Sequence, residues 1–208
     1  MLTVFNANYR FGDTLAPLTQ DEIYHTPEFY AMSVDEILRS GRCPAHLSRV
    51  LQAMPFSGRP NYVQVRPQDF RKGAPYILGD GWHVDVNTAL VNGRMHVARD
   101  LSEFTSMVVS FGDVVETEFV EHPFTIDAAQ WSPFDHSRFH EKVTSMNPSA
   151  RRSAPNQVAI YTSTDVHRVA PGPRIGNMRL IIVTVEQDNA LEAGAGDIRP
   201  SIRQKEGK

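Results

Sequence analysis

The chain has almost no cysteine. Cys43 is the only one in 208 residues, so a single chain can close no disulfide and cannot build a thiolate-rich zinc site. It also lacks an excess of charge of either sign: 21 Lys and Arg against 24 Asp and Glu leave a net charge of -3. At a pI near 6.2 there is no broad basic field to attract a nucleic-acid backbone. Arg151-Arg152 is a local basic pair only. No apolar run approaches the length needed to cross a bilayer. Met1 to Arg10 carries no basic start followed by an apolar stretch, so no secretory signal is expected and the expected location is cytoplasmic. Internal repeats and low-complexity blocks are absent.

What remains is the texture of one globular domain, with 41% hydrophobic and 22% charged residues and enough chain to bury a core. An N-terminal part, residues 1–60, holds a short strand at Leu2 to Phe5, a turn-rich passage from Phe11 to Pro17, and supporting helices. Ser33-Val34-Asp35-Glu36 has the capping-box pattern, with Val34, Ile37 and Leu38 at helical spacing and Gly41 as a stop. A second helix is expected near Pro44, with Leu47, Val50, Leu51 and Met54 as its apolar face. From residue 61 to 189 the pattern turns to strands. Tyr62 to Arg66 and Trp82 to Val86 alternate, and Arg94 to Val97 is a short candidate. Phe104 to Phe111 and Val114 to Val120 flank Gly112-Asp113, which reads as a hairpin turn. Gln157 to Tyr161 and Leu180 to Val185 are strongly strand-like, the second with the look of a strand buried on both faces. A polar insert from Pro123 to Pro155 includes a candidate short helix from Asp135 to Val143, and the length of its part from Trp131 to Pro155 makes a substrate lid one reading. Residues 190–208 read as a loose tail. Helices followed by many short strands predict a mainly β fold, an antiparallel sandwich or barrel with a helical cover.

Chemistry concentrates at Gly81-Trp82-His83-Val84-Asp85-Val86-Asn87. His83 and Asp85 are two apart, so on an extended strand both side chains leave one face, and Trp82 leaves the other toward packing. An imidazole and a carboxylate side by side can take adjacent positions on a metal ion. A second histidine on a neighbouring strand completes a 2-His-1-carboxylate facial triad. Of the other histidines, His25 and His46 lie upstream in the helical part, His122 ends a strand, and His96 has no supporting pattern downstream. His136 and His140 are spaced for one helix face but lack further ligands. His167 follows a strand across a short polar segment, and Arg179 stands twelve residues beyond it at the start of the last strong strand. A buried guanidinium needs a partner, and a carboxylate fits it bidentately.

The order His83-x-Asp85, a long interval, His167, then Arg179 resembles the Fe(II)/2-oxoglutarate-dependent dioxygenases. Asp165-Val166-His167-Arg168-Val169-Ala170-Pro171 looks most like their prolyl-hydroxylase-like members. The resemblance covers about Tyr62 to Glu186 and implies a double-stranded β-helix, or jelly-roll. It implies His83, Asp85 and His167 as ligands of Fe(II), and Arg179 as holder of the distal carboxylate of 2-oxoglutarate, with Arg174 as the alternative. Tyr76 and Asn87 are candidates to contact the co-substrate. The implied reaction consumes O2, releases succinate and CO2, and hydroxylates a C–H bond of a small molecule or side chain. Arg66 and Arg94 are strand-borne cations able to meet an acidic substrate or, alternatively, a surface partner. A cupin-type metalloenzyme without 2-oxoglutarate and a non-catalytic β-sandwich binding module remain as other readings.

Overall fold

Short helices cover one face of the main sheet, and local sequence sets where they begin. The computed structural model describes residues 2–71, 81–85, 88–91, 94–97, 104–112, 116–127, 136–170, 177–187 and 197–206, with the backbone alone at 2, 88–91, 94–97, 136, 187 and 206. Helix α1 spans Gln20–His25, α2 spans Val34–Arg39 and α3 spans Ala45–Ala53. Ser33 and Glu36 close the expected capping box on α2. Thr19 and Glu22 close another on α1, a Thr-x-x-Glu signal that the sequence carries as plainly. Pro44 is the N-cap of α3, and Leu47, Val50, Leu51 and Met54 are buried as their helical spacing predicts.

The large sheet has seven strands. In order across it they are β14 (Asp197–Arg199), β3 (Glu28–Met32), β4 (Asn61–Asp69), β13 (Met178–Gln187), β7 (Phe104–Phe111), β11 (Gln157–Thr162) and β2 (Arg10–Thr14). All its pairings are antiparallel. A smaller sheet runs β10 (Ala150–Arg152), β8 (Thr117–Val120), β12 (His167–Val169), and is continued past β12 by an antiparallel bridge from His167 to His83. Two further pairs join β1 (Leu2–Phe5) to β9 (Phe124–Asp127) and β5 (Thr88–Val91) to β6 (Arg94–Val97). Helix α4 spans His136–Ser145 and α5 spans Ile202–Glu206.

The two faces of the large sheet differ in chemistry. Toward the helices, Phe29, Val63, Val65, Met107, Val109, Phe111, Leu180 and Ile182 join Ile23, Ile37, Leu47 and Leu51 in the main core. The opposite face follows from the period of two. Val108, Ala159 and Tyr161 pack there with Phe119 of β8, flanked by Ile181 and Val183. Phe119 reaches across from the small sheet to the Tyr9, Phe11 and Tyr161 rings, with centroids 4.7, 6.1 and 5.3 Å away. The fold is thus mainly β, with antiparallel sheets packed face to face, compatible with a β-sandwich. Among the described residues no helix is long and apolar enough to cross a membrane.

Three sequence expectations change. β7 and β8 are not a hairpin: β7 pairs with β13 and β11, while β8 pairs with β10 and β12 in the other sheet. Gly112 sits at this crossover with φ +99°, where a Cβ would lie 2.3 Å from the Met178 carbonyl. Both facts demand glycine, but for a passage between sheets rather than a two-residue turn. The supposedly turn-rich stretch after Arg10 is strand through Thr14, recruited as the edge partner of β11. Nor are residues 197–206 loose, since β14 pairs with β3 and Ser201 and Ile202 are buried.

Candidate metal centre

The bridge between His83 and His167 builds the site. Each backbone N–H donates to the other's carbonyl at 2.9 Å. This reciprocal pairing sends both side chains to one face. Their ring centroids lie 4.4 Å apart, and Asp85, two residues beyond His83, joins them. In both rings the hydrogen-bond partner fixes the tautomer. His83 Nδ1 lies 2.8 Å from the Gly81 carbonyl and His167 Nδ1 lies 3.0 Å from the Asp165 carbonyl. A carbonyl only accepts, so each Nδ1 carries the proton. Each Nε2 faces Asp85 Oδ1, at 3.8 Å from His83 and 3.7 Å from His167. Ligand atoms about 2.0–2.2 Å from one ion and at right angles would stand about 3 Å apart, so a small inward adjustment of the side chains accommodates an ion. Two nitrogens and one carboxylate oxygen lie within 4.8 Å of one another, a group able to hold a metal.

Asp85 is the electrostatic centre. Burial pushes its carboxyl up, but His167, His83 and the Tyr161 hydroxyl together hold it well below the ordinary carboxylate range. Tyr161 donates to Asp85 Oδ2 at 2.5 Å, leaving Oδ1 turned to the histidines. Burial and then the Asp85 charge push the Tyr161 hydroxyl well above its usual 10.0, so it stays a phenol and a donor. Burial would lower the His167 imidazole, yet Asp85 and the Asp165 carbonyl outweigh it and raise the net value. A metal ion held here would therefore compete with protons for the same nitrogens.

The supports of this group come from distant parts of the chain. Asp165 is fully buried and accepts from the Asn8 and Tyr9 N–H groups at 2.6 and 3.2 Å, and from Thr162 N at 2.7 Å. It thereby fixes the turn whose carbonyl orients His167. Trp82 is buried away from the ligands with Phe5, Val84, Phe139 and Val143. The Trp82 N–H donates to His140 Nδ1 at 2.9 Å. Gly81 allows that approach, because a Cβ there would meet His140 Cγ at 2.9 Å. The described part of the insert is therefore a buttress behind the small sheet rather than a lid, with Phe139 and Val143 of α4 buried. Outside, Arg168 stacks 4.1 Å over Trp82 and pairs with Glu118, which also meets Arg152 at 3.3 Å.

Arg179 is wholly buried. Its Nη2 donates to Ser110 Oγ at 2.7 Å and its Nη1 reaches Gln68 Oε1 at 3.5 Å. It shares a face with Ile181 and Val183, the face that looks toward the small sheet. Tyr76, Asn87 and Arg174 lie outside the described residues, as do the side chains of Arg94, His96 and His136. Among the other histidines, His25 bonds the Asp21 carbonyl and His46 bonds Thr26, while His122 is exposed. Sequence reasoning misses Tyr161, Asp165, Ser110, Gln68 and His140 as parts of the site. Each is an ordinary residue of a strand, turn or helix until the fold brings it in. Comparison of the chain with family models, curated proteins and solved structures finds no match in any of the three.

Proposed function

We propose that this chain is an Fe(II)- and 2-oxoglutarate-dependent oxygenase on a double-stranded β-helix, hydroxylating a C–H bond of a small molecule or an exposed side chain. One observation carries the reading: two histidines, each with Nδ1 bonded to a backbone carbonyl, turn their Nε2 atoms toward one oxygen of Asp85. This donor set fits a facial triad on a non-haem iron and leaves coordination positions for a 2-oxo acid and dioxygen. Strand order supports the fold assignment. β4, β13, β7 and β11 adjoin in one sheet, the His83 segment, β12, β8 and β10 in the other, and the chain crosses repeatedly between them.

Iron held by His83, Asp85 and His167 would supply the activation of dioxygen by which 2-oxoglutarate, O2 and R–H give succinate, CO2 and R–OH. The chain's own residues do the rest. Arg179, braced by Ser110 and Gln68, would hold the distal carboxylate through its planar guanidinium. Tyr161 keeps the Asp85 carboxylate oriented and ionised, and the Gly81 and Asp165 carbonyls hold the imidazole protons away from the ligating nitrogens. Phe119, Tyr161 and Val108 exclude water from one wall.

The test is an anaerobic titration with Fe(II) and then 2-oxoglutarate, followed by visible charge-transfer absorption. The expected band appears in the parent protein and vanishes in His83→Ala and Asp85→Ala. In Arg179→Gln it needs far more 2-oxoglutarate. Iron binding without a band would point to a cupin-type metalloenzyme, and no iron binding at all would overturn the reading.

A further inference from the structure

The inner face of β4 is polar along its whole length. Val63 and Val65 turn to the helices, so Tyr62, Gln64, Arg66 and Gln68 share the other face. All four are half-buried. The register lines them up across the sheet. Tyr62 lies opposite Val185, which lies opposite Ser106, which lies opposite Tyr161, the donor to Asp85. Gln68 lies opposite Arg179. Arg66, opposite Ile181 and so in the row of Ser110, therefore stands between the row of Tyr161 and the row of Arg179. Adjacent same-face rows are about 6–7 Å apart.

The two arginines of this face are in different states. Arg179 is enclosed and braced by Ser110 and Gln68. Arg66 is half-open, and its side chain makes no hydrogen bond, ion pair or ring contact among the described residues. A half-buried guanidinium that no described carboxylate meets is a ready partner for an anion. Tyr62, farther along the same face of β4, has its hydroxyl pushed up by burial and by the Asp85 charge. The face carrying Arg66 thus extends into the electrostatic reach of the metal group.

The geometry points to a substrate bearing an anionic group (carboxylate, sulfate or phosphate), held by Arg66 on the inner face of β4 while Arg179 holds the co-substrate. This inference rests on the oxygenase reading and names the substrate class of the same site. Arg66 is a binding residue, and the reacting C–H bond lies elsewhere on the substrate.

The test uses the full chain loaded with Zn(II), a diamagnetic stand-in for iron, saturated with 2-oxoglutarate and titrated with acetate and with sulfate. The readout is the arginine Nε–H signals in nitrogen-15 NMR. One signal, missing in Arg66→Gln, is expected to shift saturably with either anion. Exposed Arg42 is expected to drift only linearly. Calorimetry is expected to show anion affinity weakened about tenfold or more in Arg66→Gln, as for loss of one charge-assisted contact, with 2-oxoglutarate affinity unchanged. An Arg66 signal indifferent to both anions overturns the inference. So does a signal that 2-oxoglutarate alone saturates, since Arg66 would then belong to the co-substrate site. If 2-oxoglutarate itself fails to bind, the oxygenase reading fails, while the anion titration without it still scores Arg66. Circular dichroism melting checks that Arg66→Gln folds, with Arg66→Met as the second variant.

Discussion

Asp85 has two oxygens with two tasks, and Tyr161 separates them. The phenol donates to Oδ2 while Oδ1 faces both imidazoles, so the carboxylate cannot rotate without losing a short, charge-assisted bond. Tyr161→Phe removes only that oxygen from a side chain that is 2% exposed, and the ring's packing on Phe119 survives. The expected result is an intact fold with metal affinity reduced about tenfold to a hundredfold, as for other partners that orient a metal ligand. A competition titration against a chelator measures it. Unchanged affinity would mean that the histidines alone hold Asp85 in place.

At the scale of elements, α4 is the clearest case of distant sequence serving the site. Phe139 and Val143 anchor the helix behind the small sheet, and His140 then accepts from the Trp82 backbone, one residue before His83. His140→Ala leaves that N–H without its partner, a loss of about 1–3 kcal/mol. It also frees the segment that carries two of the three ligands. Thermal unfolding is expected to show the lost stability, and metal titration a weakened site. If stability falls while metal affinity stays, α4 supports the fold but not the ligands. Elements with strong local signals were legible: the capping box of α2, the apolar face of α3, the alternation of β4 and the long apolar run of β13. The short strands β2, β3 and β14, at or next to the sheet edges, were not. Their three to five residues carry too little periodicity, and they become strands because a neighbour offers unpaired backbone groups.

For the whole molecule, a metal held by His83, Asp85 and His167 would couple its binding to folding. A metal that binds the folded chain alone stabilises it by about 2.7 kcal/mol at a hundredfold excess over Kd. The pH dependence follows from the two raised and lowered groups. His167 is raised above its ordinary 6.5, so its pairing with Asp85 stabilises the metal-free protein fully below 6.5 and is lost as pH rises through the folded value. Asp85 is lowered below 3.8, so its contribution is present above 3.8 and lost as pH falls through the folded value. Metal needs the deprotonated imidazole. The rise in Tm on adding Zn(II) is therefore expected to be largest at pH above the raised His167 value and to shrink as pH falls through it. Differential scanning calorimetry across that window checks the sign. A metal-induced rise that grows on acidification would contradict the assignment of His167 as a ligand.

The sequence by itself determined what depends on near neighbours. It excluded disulfides within the chain, set the helix starts at Ser33 and before Ala45, and assigned His83 and Asp85 to one face and Trp82 to the other, although the expected strand there is only an isolated bridge at His83 among the described residues. It also singled out His167 and Arg179, but only by their order along the chain. The tertiary structure alone decided the pairings that span large separations. Tyr161 meets Asp85 across 76 positions and Asn8 meets Asp165 across 157. β7 and β8, adjacent in sequence, part into different sheets. Local propensity and period act over one or two turns or a few strand residues. The partner across a sheet is set by register and topology, which emerge only when every strand competes for a place in the same two layers.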